Sequence, residues 1–405
     1  MVEMTTSVIY LDNNATTQCA PEVVDAMLPF FTGNHGNPSS PHFLGREAAR
    51  AVAVARERIA ESVGCVASEV LFTSCATESN NMVILSAMQM SAGRHKIVTS
   101  AIEHKSVLGP CESLETKGFD VVRLPVEKDG RLDLDAVRCA VDSETVLVSV
   151  QGANNEIGVL EPVKAVADIA HAVGAAFHCD AAQLLGKIPV SIDDIGADFV
   201  SFSSHKAYGP KGIGFLIIRN HIRDIAVSPL MFGGGQENGF RPGTLNVPGI
   251  VGAGVACCLC SERIETEMRQ IGRLRGQLED GISDIAPDAR IVEGESPRLP
   301  GTLSVLFPGV PAELLIARTP TVCMSMGSAC TSGAVSPSHV LLALGMSRDD
   351  ARCVIRFSLG RYNTDDDVQG ALKAINAALS GISTAQMPKR QRDREAVVTG
   401  KEAGS

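Results

Sequence analysis

Five stretches of this chain set polar or ionisable residues directly after short, apolar, β-branched runs. Thr77 and Glu78 follow EVLFTSCA, His104 follows KIVTSAIE, Asn155 follows TVLVSVQGAN, Asp180 and Gln183 follow AAFHC, and Ser203, His205 and Lys206 follow DFVSF. In open α/β sheets a ligand sits beyond the carboxyl ends of the strands, so these residues are the first candidates for chemistry. A lysine held in a cleft with its pKa lowered by neighbours can form a Schiff base with an aldehyde. Each residue also has an ordinary structural alternative. Thr77 with Glu78 can cap a helix, a single His or Asn can be a satisfied buried hydrogen-bonder, and a lysine is normally solvated. Lys211, in the glycine-rich turn after Lys206, is the rival lysine.

Convergence at consecutive strand ends favours a ligand, and one cofactor suits the set. Pyridoxal phosphate requires a lysine for its aldehyde, an acid facing its pyridinium nitrogen, donors around its phosphate and a group over its ring. Lys206, Asp180, Thr77 with Ser203 and His205, and His104 supply these in turn, leaving Asn155 and Gln183 for the ring hydroxyl. Asp180 follows an apolar strand, where an unpaired carboxylate is costly, so a cation or N–H donor is expected beside it.

The elements that must position these residues follow from the hydrophobic pattern. Two helices, PEVVDAMLPFF and GREAARAVAVARERIAESVG, precede strand-helix alternation running from EVLFTS to GIGFLIIR. Such alternation, with strands apolar throughout, indicates a sheet covered by helices on both faces. The expectation is a large α/β domain over residues 17–260. After Gly254 a long charged helix, short strands and a helix from Asp365 to Ser380 suggest a smaller α+β domain, formed by 1–16 and 261–383, with a polar tail at 384–405 that reads as disordered.

The sequence has 405 residues, and 36 Lys and Arg against 46 Asp and Glu leave a net charge of −10. That balance argues against nucleic-acid or anionic-membrane partners. No run approaches the ~20 consecutive apolar residues of a membrane span, and the first residues lack a secretory pattern, so a cytoplasmic protein is expected. The 12 cysteines are scattered and read as reduced thiols. Cys257 and Cys260 form a CxxC inside a helical stretch with too few partners for a zinc set.

In these residues the chain resembles the cysteine desulfurases, pyridoxal phosphate enzymes of fold type I in the class V aminotransferase group. The resemblance is carried, in order, by YLDNNATT, GNPSS, SCATESNN, EHKSV, NNEIG, HCDAAQ, SSHKAYGPKG, GSACTSG and RFSLGR. It implies a large domain with a mainly parallel seven-stranded sheet beside a smaller α+β domain. The cofactor would be pyridoxal 5′-phosphate, bound to Lys206, with Asp180 on the pyridinium nitrogen and His104 stacking on the ring and moving protons. Phosphate contacts fall to Ala76, Thr77, Ser203 and His205, and to Thr244 reaching across a homodimer. Pro242, in RPGTLN, stands where many relatives carry another residue. Arg356, with Asn37 and Asn155, would hold the substrate carboxylate.

Cys330, in GSACTSG, is the implied thiol nucleophile, and the Pro, Gly, Ser and Thr around it suit a loop able to carry sulfur outward. The implied reaction converts L-cysteine to L-alanine and leaves a persulfide for an acceptor such as an iron-sulfur scaffold protein. The alternatives are a selenocysteine lyase or other class V enzyme, which need not use a loop cysteine, and a catalytically silent sulfur-transfer scaffold. His178 shares the strand face of Asp180, and His42 and Arg361 are further candidates near the site. Cys75, Cys139, Cys179 and Cys353 read as core thiols.

Overall fold

The computed structural model describes residues 8–222, 227–292, 294–326 and 337–382. After strand β1 (Ile9–Tyr10) come helices α1 (Pro21–Met27) and α2 (Phe43–Val63). Helix α2 buries Ala48, Val52, Ala55, Ile59 and Val63, a repeat of three to four residues that makes one apolar stripe. His42 caps its start by accepting from the Gly45 N–H, and Gly64 ends it in the left-handed region at φ 73°.

The predicted alternation then follows: β2 (Val70–Thr73), α3 (Ala76–Met90), β3 (Lys96–Ser100), α4 (Lys105–Glu115), β4 (Asp120–Leu124), α5 (Leu134–Ala140), β5 (Thr145–Gln151), α6 (Val163–Ala172), β6 (Ala176–Asp180), α7 (Ile192–Ile195), β7 (Phe199–Ser203) and β8 (Gly214–Ile218). The strands form a seven-stranded sheet in the order β2-β8-β7-β6-β5-β3-β4. All pairs are parallel except those made by β8, which is antiparallel to both β7 and β2. Strands β2, β3, β5, β6 and β7 therefore present their carboxyl ends along one edge. Strands β5 to β8 are buried at every position, which is why their sequences show apolar runs rather than alternation.

Helix α8 (Val247–Ile285) is one continuous 39-residue helix, about 58 Å long at 1.5 Å per residue. The helix expected after Gly254 therefore starts earlier, and the chain runs unbroken through residue 260. Its apolar first half packs on α1 and α2. Gly254 permits this approach, since a Cβ there would lie 2.8 Å from the Ala55 Cα. By length and composition α8 is apolar enough to cross a membrane, but 61% of its most apolar window is buried within the protein. Farther along, Ile271, Leu274, Leu278 and Ile282 reach a second core.

That second core is built on β9 (Arg290–Ile291), β10 (Thr302–Leu306), α9 (Ala312–Arg318), β11 (Val322–Cys323), α10 (His339–Ala343), α11 (Arg348–Ala351), β12 (Val354–Ser358) and α12 (Asp365–Ser380). Strands β12, β10 and β9 form an antiparallel sheet, and β1 pairs in parallel with β11. The N-terminal strand thus belongs to this second layer. A small shared core of Ile102, Ile157, Leu306, Val340 and Val354 joins it to the strand ends of the large sheet.

Candidate active site

Lys206 closes a short 3-10 turn that begins as soon as β7 ends, which holds it at the carboxyl edge of the sheet. Its Nζ donates to the Asn14 carbonyl. The segment around Asn14 is bound to this turn, with Thr17 N donating to the His205 carbonyl at 2.9 Å and Tyr208 N donating to Thr17 Oγ1 at 2.8 Å. His205 Nδ1 lies 3.1 Å from Thr16 Oγ1, and burial with nearby Lys206, Lys211 and Lys187 pushes this imidazole down to about 4. The rival Lys211 is exposed.

Asp180 ends the neighbouring strand β6 and is buried. Its expected partners are N–H donors: Asn80 Nδ2 at 2.7 Å and the Ala182 backbone at 3.0 Å. Asn80 also donates to Ser106 Oγ at 2.8 Å, and Ser106 Oγ lies 2.8 Å from His104 Nδ1. His104 is the residue capping α4, where its ring accepts from Ser106 N. Desolvation holds its titration below the ordinary range, Lys206 reinforces this, and Asp180 opposes it.

Asn14 links a second group. Its carbonyl accepts from Gln183 Nε2 at 3.0 Å as well as from Lys206. Its amide donates to Thr302 Oγ1 at 2.9 Å and to the Asn155 carbonyl at 3.2 Å. Lys187 donates to Asn14 Oδ1 at 2.8 Å and to Gln183 Oε1, and burial holds its titration far below that of an ordinary lysine. Arg356, only 2% exposed, donates to Asp12 and, at 2.9 Å, to the Asn155 carbonyl, while its Nε is buried with no partner among the described residues.

The α3 N-terminus completes the edge. Cys75, not Thr77, is the residue before its first turn, and no side chain caps it. Glu78 instead reaches back to Ser74 N at 2.7 Å and bonds Arg241. Gly214 lets β8 pass close beneath, since a Cβ there would lie 2.7 Å from the Cys75 Cα. Ala76 is buried and Thr77 exposed. Ser203 Oγ is buried without a partner among the described residues.

The other expected residues make local or structural contacts. Asn37 is exposed and accepts from Ser39 N in its own loop at 2.9 Å. Thr244 is exposed beside Gly243, whose N–H bonds Gln236. His42 is spent on capping α2, and Arg361 pairs with buried Glu267 and lies over the Tyr208 ring. His178 lies within the sheet, hydrogen-bonded to Ser149 and Ser201. Cys139 is exposed and Cys75 half-buried, so only Cys179 and Cys353 of the expected core thiols are buried. Cys330 and its GSACTSG motif lie outside the described residues.

Sequence reasoning missed Asp12, Asn14, Asn80, Ser106 and Lys187. Asp12 and Asn14 lie inside YLDNNATT, a motif of the resemblance from which no site residue was expected, and Asn80 lies inside SCATESNN, three residues after Thr77. Lys187 had its own signal, a lysine four residues after Gln183 between apolar residues.

These groups fit pyridoxal 5′-phosphate. The uncapped start of α3 and the unpartnered Ser203 hydroxyl are donors suited to a phosphate, and the buried Asp180 carboxylate and the lysine stand at adjacent strand ends. The family model described as Aminotransferase class-V matches residues 9–370, which sets the class as a pyridoxal phosphate-dependent enzyme. The chain is 44% identical over 371 residues to "Cysteine desulfurase IscS" of Anaeromyxobacter sp. (strain Fw109-5), covering 91% of each. It is 44% identical over 378 residues to a cysteine desulfurase of Gluconacetobacter diazotrophicus, covering 92% of this chain and 94% of the relative. A solved structure titled "NIFS-LIKE PROTEIN" aligns with a TM-score of 0.86 at 39% identity over 92% of this chain and 99% of the other. The chain belongs to the cysteine desulfurases within the class-V aminotransferases.

Proposed function

We propose that this chain removes sulfur from L-cysteine, releasing L-alanine and holding the sulfur as a persulfide on Cys330. The observation that carries the reading is the placement of Lys206 and Asp180 at the ends of adjacent strands, with the Ser203 hydroxyl buried there and unpartnered among the described residues. Bound there, pyridoxal 5′-phosphate supplies an electron sink for charge developing at the substrate Cα. Lys206 would hold the cofactor through its aldehyde, and its Nζ would take the substrate Cα proton. Asp180 keeps the ring nitrogen protonated, held in place by Asn80 and the Ala182 N–H. Ala76, Thr77, Ser203 and His205 hold the phosphate, Gln183 and Asn155 the ring hydroxyl, and His104 covers the ring and assists proton transfer.

Arg356 binds the substrate carboxylate with Asn37 and Asn155, a reading supported by its unpartnered buried Nε. Cys330 Sγ, as thiolate, attacks the substrate sulfur, the C–S bond breaks, and its electron pair returns to the carbon fragment, which leaves as alanine after protonation. Support comes from the flanks of the motif: Ser325 bridges to Arg356, and Ser338 donates to Glu156. Both described ends are thereby tied to the candidate site. We further assign residues 17–260 to a large domain and 1–16 with 261–383 to a small one. The working unit is a cytoplasmic homodimer in which Thr244 serves the other subunit's phosphate, and the acceptor is a sulfur-receiving protein such as an iron-sulfur scaffold.

The test is the absorption spectrum of the purified protein, followed by addition of L-cysteine and a reductant. Equal amounts of sulfide and alanine are expected. A protein that takes up pyridoxal phosphate but yields neither product would overturn the reading.

A further inference from the structure

The buried polar groups beside His104 leave its ring one arrangement. Asn80 is 0% exposed, and its amide nitrogen spends both hydrogens, one on Asp180 Oδ2 at 2.7 Å and one on Ser106 Oγ at 2.8 Å. The flipped amide would set Oδ1 against the carboxylate, and Oδ1 is instead left buried without a partner among the described residues. Ser106 Oγ accepts from Asn80, so its own proton is free for His104 Nδ1, 2.8 Å away. The Ser106 backbone N–H also lies 3.1 Å from Nδ1. A backbone N–H can only donate, so Nδ1 is the unprotonated nitrogen, and a neutral ring must carry its hydrogen on Nε2.

We propose that Asn80 is a positioning residue that joins Asp180 to His104 through Ser106 and fixes the imidazole as its Nε2–H tautomer. His104 then meets a bound ligand as a hydrogen-bond donor, with no lone pair offered at Nε2. A proton entering the ring would have to bind Nδ1 and displace the Ser106 N–H. The depressed titration of His104 agrees: burial leads, Lys206, His339 and Lys105 act in the same direction, and Asp180 acts against them. The catalytic meaning rests on the roles proposed for His104 and Asp180, whereas the tautomer is a property of this chain.

The test is nitrogen-15 NMR of histidine-labelled holoenzyme, with the His104 signals identified by their loss in His104→Gln. At pH 7, Nε2 is expected in the protonated range and Nδ1 in the unprotonated range. In Asn80→Ala the Ser106 hydroxyl is free to turn and accept from a protonated Nδ1, so the His104 midpoint should rise by about one pH unit. Ser106→Ala should raise it too, and it decides the matter if Asn80→Ala fails to fold or to bind cofactor. An Nδ1–H tautomer or an imidazolium in the unaltered protein at pH 7 overturns the proposal, as does an unmoved midpoint in a cofactor-loaded Asn80→Ala. The expected tautomer in a protein that yields no sulfide would uphold this inference while defeating the desulfurase reading.

Discussion

At the scale of the residue, the site separates roles that simple loss of activity would blur. Lys206→Ala should abolish both the visible absorption of bound cofactor and turnover, and normal turnover in that variant would refute the lysine assignment. Cys330→Ala should keep the absorption and still bind cysteine, yet form no persulfide. Continued sulfide release there would move the nucleophile to another thiol. Arg356→Ala should raise KM for cysteine by tenfold or more, on the order of the 1.5–3 kcal/mol of a charged hydrogen bond, with cofactor binding less affected.

His178 gives a stability prediction with a definite sign. Burial pushes its titration down from 6.5 to about 4, so the folded protein resists a proton that the unfolded chain accepts near 6.5. This contribution is whole above that value and is lost as pH falls toward about 4. At pH 5 the loss is on the order of 2 kcal/mol. Denaturant unfolding at pH 7 and pH 5 should therefore show a smaller pH effect in His178→Gln than in the unaltered chain. Equal differences would remove His178 as the cause.

At the scale of the element, the carboxyl edge of the sheet does the positioning. Strands β2, β3, β5, β6 and β7 end in line, so residues up to 130 positions apart in the sequence, Ala76 to Lys206, come to one edge. The fixed elements behind them depend on close helix contact. Gly254→Leu should strain the α2 and α8 contact, because even a Cβ there meets Ala55 backbone at 2.8 Å. Overpacking of this kind destabilises by about 1–3 kcal/mol. A fall in melting temperature with the cofactor spectrum unchanged is expected, and an unaltered melting temperature would show that the two helices can separate freely.

At the scale of the whole molecule, the N-terminal segment binds the two layers together. Its strand β1 lies on β11, while Asn14 bonds Thr302 on one side and receives Lys206, Gln183 and Lys187 on the other. Dimer function can be tested by mixing subunits. If Thr244 serves the partner's site, hybrids of Lys206→Ala and Thr244→Ala chains contain one intact site, and activity should exceed that of either variant alone. Activity no greater than the parents' would place Thr244 outside the other subunit's site.

The sequence by itself determined the alternating elements, the lysine and acid at strand ends and the membership carried by its motifs, because those signals are local: a period, a run, a short spacing. Residues Asp365–Ser380 form the helix expected from their pattern. Tertiary structure decided what local signals do not encode. It set Asn14 on Lys206 and Asn80 on Asp180, across 192 and 100 residues. It left the α3 start uncapped where Thr77 offered a cap, and carried α8 unbroken past residue 260. It sent Arg361 to Glu267, because a buried guanidinium takes the carboxylate that packing brings within reach, whatever its place in the chain.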